Sequence, residues 1–105
     1  MDKTIKILCI CNQGNCRSVA TRYCLNRRGY TNVISIGESN TDIETLTMLY
    51  NWADKVLLAK PHHSRNLLDT AKVDKSFTIG EDKWLNPLNK ELHQLIRYEL
   101  NKIGL

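Results

Sequence analysis

The segment Ile5-Lys6-Ile7-Leu8-Cys9-Ile10-Cys11-Asn12-Gln13-Gly14-Asn15-Cys16-Arg17-Ser18 changes character twice within its length. Up to Cys11 it is Ile-rich and weakly alternating, the pattern of a mostly buried strand. Asn12 to Asn15 are turn formers, and beyond Arg17 the residues Val19, Ala20, Tyr23 and Cys24 recur at helical spacing. A strand, a tight turn and a helix in succession predict a parallel α/β unit whose turn lies at the strand's carboxyl end.

Working outward, Gly29 terminates the first helix, and Val33 to Ile36 form a second strand stopped at Gly37. Thr41-Asp42-Ile43-Glu44 has the form of a capping box, opening a helix whose buried face is Ile43, Leu46, Tyr50 and Ala53. Lys55 to Ala59 is a third strand. Pro61 opens a short helix to about Asp69, and Ser76 to Ile79 is a fourth strand. After a polar loop from Gly80 to Leu85, Asn86-Pro87 supplies an N-cap and first-turn pair. The last helix then runs to Ile103, with Leu92, Leu95, Ile96 and Ile103 inward and Gly104 as its stop. The alternation predicts one α/β domain over residues 1–105: a three-layer sandwich with a four-stranded parallel sheet and helices on both faces.

At 105 residues, 42% hydrophobic and 25% charged, the chain has the composition of an ordinary globular domain. No apolar run approaches the roughly 18 residues of a membrane span, and Met1-Asp2-Lys3-Thr4 is no signal-peptide start. A cytoplasmic protein without membrane contact is expected, and a monomer. All four cysteines (Cys9, Cys11, Cys16, Cys24) lie near the start, which is not the spread of a disulfide framework. Zinc ligation fails because no Cys-x2-Cys pair is present, and no cofactor is expected. The arginines lack the aromatic interleaving of a nucleic-acid interface, so no nucleic-acid partner is expected.

Between Asn12 and Tyr30 there are Arg17, Arg22, Arg27 and Arg28 and no acid. A helix start is already positive, so an arginine in place of the usual acid implies an external anion. Gly14 permits positive φ, letting successive N–H groups of Asn12, Gln13, Gly14, Asn15 and Cys16 turn inward as a nest. The helix start adds its own unpaired N–H groups. Arg17 offers two parallel donors to phosphate oxygens. Cys11, at the base of this positive cup, is expected to hold its thiolate below the ordinary thiol range, with Ser18 hydrogen-bonded to the sulfur. A leaving oxygen needs a proton donor from the same sheet edge; Asp82 is preferred, with Glu81 in reserve. These residues together imply phosphomonoester hydrolysis through a phosphocysteine at Cys11. His62 and His63 are expected to be exposed.

Ile7-Leu8-Cys9-Ile10-Cys11 with Arg17-Ser18 resembles the start of the low-molecular-weight protein tyrosine phosphatases. Trp52-Ala53-Asp54-Lys55-Val56-Leu57 is similar to that family's entry to its third strand, and Gly80-Glu81-Asp82-Lys83-Trp84 lies where the family keeps its acid loop. The resemblance implies a flavodoxin-like sheet of order 2-1-3-4 with Cys11 as nucleophile, Arg17 as transition-state clamp, Ser18 as thiolate partner and an Asp as acid. It also implies a reversible Cys11–Cys16 disulfide that protects the nucleophile. The substrate it implies is a phosphorylated protein or a small phosphomonoester. The chain departs from the family in carrying Gly14 where an Asn is usual, and in lacking the Asp-Pro-Tyr acid motif.

Two alternatives stand beside this reading. Phosphocysteine carriers of the enzyme IIB type share the length and the Cys-x-x-Gly of Cys11 to Gly14, but typically have Ser or Thr where Arg17 stands. A non-catalytic phosphate- or phosphopeptide-binding module would use the same nest without the acid. Arsenate reduction calls for later shuttle cysteines, and none follows Cys24.

Overall fold

The computed structural model describes residues 2–105. Its elements run β1 (Ile7–Cys11), α1 (Arg17–Arg27), β2 (Val33–Gly37), α2 (Ile43–Trp52), β3 (Lys55–Leu58), a 3-10 turn (Pro61–Ser64) and α3 (Lys90–Lys102). The three strands are parallel in the order β2-β1-β3, with Ile7 opposite Val33 on one side and Lys55 on the other. Every residue of the central strand β1 is buried. Its alternation divides the core in two. Ile7, Cys9 and Cys11 pack with Ala20, Cys24 and Leu25 of α1 and with Leu92, Ile96 and Leu100 of α3. Leu8 and Ile10 pack with Leu46 and Tyr50 of α2. The sheet is thus covered on both faces, as a parallel sheet requires. Among the described residues no helix is long and apolar enough to cross a membrane.

Ser76 to Ile79 is not a fourth strand. The chain touches the edge of β3 twice: Val73 bridges Val56, and the N–H groups of Ile79 and Gly80 both donate to the Ala59 carbonyl. Between these points side chains intercept the backbone. The Asp74 carboxylate accepts from the Ser76 N–H at 3.1 Å, and the buried Glu99 carboxylate accepts from the Thr78 N–H at 3.0 Å. The Ser76 and Thr78 donors are thus satisfied by side chains, and the segment buries Phe77 and Ile79 without forming a ladder.

Two helix starts and one helix end differ from the sequence expectation. Asp42, not Thr41, caps α2 by accepting from the Thr45 N–H, while the Thr41 hydroxyl donates back to the Gly37 carbonyl. Ile43 therefore sits at the exposed start of the helix, and Leu46 and Tyr50 are its buried residues. Asn89 caps α3 by accepting from the Glu91 and Leu92 N–H groups, whereas Asn86 closes an Asx turn onto the Leu88 N–H. The helix after Pro61 is a single 3-10 turn ending at Ser64.

Replacing Asn89 with Ala orphans two first-turn donors, and a loss of about 1 kcal/mol in urea unfolding is expected. A value indistinguishable from zero would show that α3 is held by packing alone.

Candidate functional site

β1 delivers Cys11 to the carboxyl edge of the sheet, where the chain must turn into α1. The first three carbonyls of this turn point toward the segment after β2. The Cys11 carbonyl accepts from the Glu38 N–H at 2.9 Å, and the Asn12 carbonyl from the Ser39 N–H and hydroxyl at 2.9 and 2.7 Å. The Gln13 carbonyl accepts from the Asn40 side-chain amide at 2.9 Å. Across a trans peptide the N–H opposes the C=O, so anchoring each carbonyl outward turns the following N–H inward. The Gly14 N–H accordingly reaches the Cys11 sulfur at 3.3 Å. Among the described residues the N–H groups of Gln13, Asn15 and Cys16 have no protein acceptor.

The turn rests on two glycines in contact. Gly14 has φ +75°, and a Cβ there would lie 2.7 Å from the Ile36 carbonyl carbon. A Cβ on Gly37 would lie 2.5 Å from the Gln13 carbonyl oxygen. Neither position has room for any side chain.

α1 begins without a side-chain cap and without an acid in its first turn. Its free N–H groups and positive dipole end face the same turn. Ser18, on that first turn, places its hydroxyl 3.1 Å from the Cys11 sulfur. Arg17 is buried, 3% exposed, and donates from Nη1 to the Gly80 carbonyl at 2.6 Å. Its Nε lies 3.8 Å from an Asp82 carboxylate oxygen. Cys16 completes the seam, its thiol donating to the Trp84 carbonyl at 3.2 Å. The segment 80–84 is therefore stitched to the first turn of α1 by three contacts.

Cys11, Arg17, Ser18, Asp82 and the loop residues Asn12 to Cys16 are thus brought together at one edge. Glu81, beside Asp82, is engaged instead in an ion pair with Lys60, whose hydrogen bond and charge hold its carboxyl below the ordinary range. Trp84 packs against the core on the α1–α3 face. Cys11 and Cys16 are both free thiols. Burial pushes the Cys16 thiol up, and the negative charges of Asp82 and Cys11 act in the same direction.

Three residues behind the turn went unidentified in the sequence. Glu38 is buried, 3% exposed, and forms a two-pronged ion pair with Arg65, one arm at 3.2 Å. Since its own N–H holds the Cys11 carbonyl, this pair braces the loop. His63 is fully buried rather than exposed. Its Nδ1 accepts from the Lys60 N–H at 3.1 Å, leaving the proton on Nε2, which has no partner among the described residues. Burial, aided by the charges of His62 and Arg17, pulls its pKa down to about 4. A Pro-His-His-Ser run carries no pattern that separates an inward from an outward histidine; only the 3-10 turn does so.

Comparison with family models, curated proteins and solved structures gives no match to this chain.

Gly37→Ala is expected to cost roughly 1–3 kcal/mol, since the backbone of Gln13 must move to admit the methyl group. Chemical denaturation together with loop amide shifts would show it, and an unperturbed loop would refute the close-packing account. A second expectation concerns pH. Between the ordinary histidine value of 6.5 and about 4, the unfolded chain takes up a proton that folded His63 refuses. The His63 contribution to stability should therefore fall as pH drops through that window and level off below it. Urea midpoints for wild type and His63→Asn test this, because the variant should lose that part of the slope; an identical slope would clear His63 of the effect.

Proposed function

We propose that the protein hydrolyses phosphomonoesters through a phosphocysteine at Cys11. The observation that carries this reading is the Cys11 sulfur at the base of the inward-facing turn, in contact with the Gly14 N–H and the Ser18 hydroxyl. The phosphoryl oxygens take the free loop and helix N–H groups and the Arg17 guanidinium, donors arranged before any charge develops. The Cys11 thiolate attacks phosphorus, the P–O ester bond breaks, and the leaving oxygen takes a proton from Asp82. Water then attacks the phosphocysteine and gives its proton to the Asp82 carboxylate. The S–P bond breaks, releasing phosphate, while the Ser18 hydroxyl stabilises the returning thiolate.

Asp82 is favoured over Glu81 because it stands against Arg17 with its side chain 54% exposed, whereas Glu81 is engaged by Lys60. The resemblance to the low-molecular-weight protein tyrosine phosphatases supports the same roles and a flavodoxin-like arrangement of the sheet. A phosphorylated protein or a small phosphomonoester is the substrate class.

Turnover of p-nitrophenyl phosphate by the reduced protein tests the reading. Cys11→Ser should fall to background, and Asp82→Asn by about 10²- to 10⁴-fold. Glu81→Gln should stay close to wild type. Turnover that survives Cys11→Ser would sink the mechanism. Uptake of a single phosphoryl group without turnover would favour the carrier, and phosphate binding without uptake the binding module.

A further inference from the structure

At the far end of α1, about 15 Å along the helix from Arg17 at 1.5 Å per residue, a cavity of about 500 Å3 opens between α1 and α3. α1 supplies Tyr23, Cys24, Arg27 and Arg28; α3 supplies His93 and Arg97; Leu88 lies at its margin. Among the described residues no carboxylate lines it. Among the described residues none of the three arginines forms an ion pair with an acid. Their recorded hydrogen bonds are to uncharged groups: Arg27 donates to the Tyr23 hydroxyl at 3.1 Å, and Arg28 to the Arg97 carbonyl at 3.4 Å.

The three charges also reach a common point. Burial raises the Cys24 thiol, and the charges of Arg97, Arg28 and Arg27 all oppose that rise. Like charges held around one concavity repel unless an anion joins them. The helix dipole accounts for Arg27 and Arg28 at the C-terminal end of α1. It does not account for Arg97, which lies in the middle of α3 rather than at its C-terminal end. One wall is aromatic: Tyr23 and His93 pack with ring centres 5.2 Å apart and planes tilted by 31°, and Tyr23 is 38% exposed. The volume lies within the range of small-ligand sites.

We infer that this cavity is a second anion site, taking a nucleotide with its phosphates among Arg27, Arg28 and Arg97 and its base against the Tyr23–His93 wall. Guanidinium forks suit phosphate oxygens, and a planar base suits an exposed aromatic face. The concavity is open to solvent but confined to a short stretch of two helices, which suits a small ligand better than a polynucleotide, whose backbone needs a longer track.

The test is a titration of 15N-labelled Cys11→Ser protein with ADP, followed by amide shifts and calorimetry. The serine variant prevents phosphocysteine formation, so the result is independent of the proposed hydrolysis. Saturable shifts are expected over residues 23–28 and 93–97. The double variant Arg27→Gln/Arg97→Gln should weaken binding by at least about tenfold, the equivalent of losing one good charged contact. Arg22→Gln, on the same helix but outside the cavity, should leave it unchanged. Pyrophosphate should bind more weakly than ADP. Shifts confined to Gln13–Ser18 would overturn the proposal, as would unchanged affinity in a folded double variant. Pyrophosphate binding as tightly as ADP would overturn the nucleotide assignment, and so would a single-stranded RNA oligomer binding well ahead of ADP.

Discussion

Where the first loop passes over the end of β2, Gly14 and Gly37 come so close that a methyl group on either would enter the other strand's backbone. That contact governs the chemistry of the whole edge. It brings Cys11, Asn12 and Gln13 within reach of Glu38, Ser39 and Asn40, whose donors take the loop carbonyls. With the carbonyls fixed outward, the N–H groups have one side left to face. The inward-facing turn is therefore a consequence of backbone packing between two βα loops, and it does not need a bound anion to hold its shape. A site organised in advance spends little of its binding energy on ordering itself.

The same economy explains why the segment 80–84 follows α1 and not the sheet. Arg17 is a buried cation, and a buried charge is costly unless it finds partners. The Gly80 carbonyl and the Asp82 carboxylate are those partners. Holding them requires Gly80 to sit beside the end of β3, where Ile79 and Gly80 converge on the single Ala59 carbonyl. A regular fourth strand would carry these residues onward in a ladder. Glu99 and Asp74 prevent this by claiming the Thr78 and Ser76 donors. The irregular edge and the placement of a carboxylate at the cup are thus one structural solution.

Much of this was legible in the sequence because it was written locally. The strand, turn and helix around Cys11 follow from the periodicity change at Asn12 and the glycine that follows. β2, α2 and β3 follow from short apolar runs with their stops. What failed depended on distant acceptors. Ser76 to Ile79 has the pattern of a strand, but Glu99, more than 20 residues away, decides where its backbone donors go. Thr41 and Asn86 are good caps by composition, and each has a competitor, Asp42 and Asn89, within three residues; the choice depends on tertiary placement. His63 and Glu38 were invisible for the same reason, since a polar residue buried beside a site has no periodicity to announce it.

Those two residues bear on the electrostatics of the cup. Glu38 is neutralised by Arg65, and His63 is held neutral by burial and by the neighbouring charges of His62 and Arg17. A second unpaired anion behind the loop would compete for Arg17, and a protonated His63 would add repulsion to a charge already buried. With both silenced, the positive potential at the edge comes from Arg17 and from the unpaired N–H groups of the turn and of the uncapped helix. Asp82 offsets part of it from the solvent side. The buried layer supplies the positive field, and the Asp82 carboxylate stands at its exposed side. The proposed proton transfer to a leaving oxygen rests on that arrangement of a buried cation with a carboxylate at its solvent side.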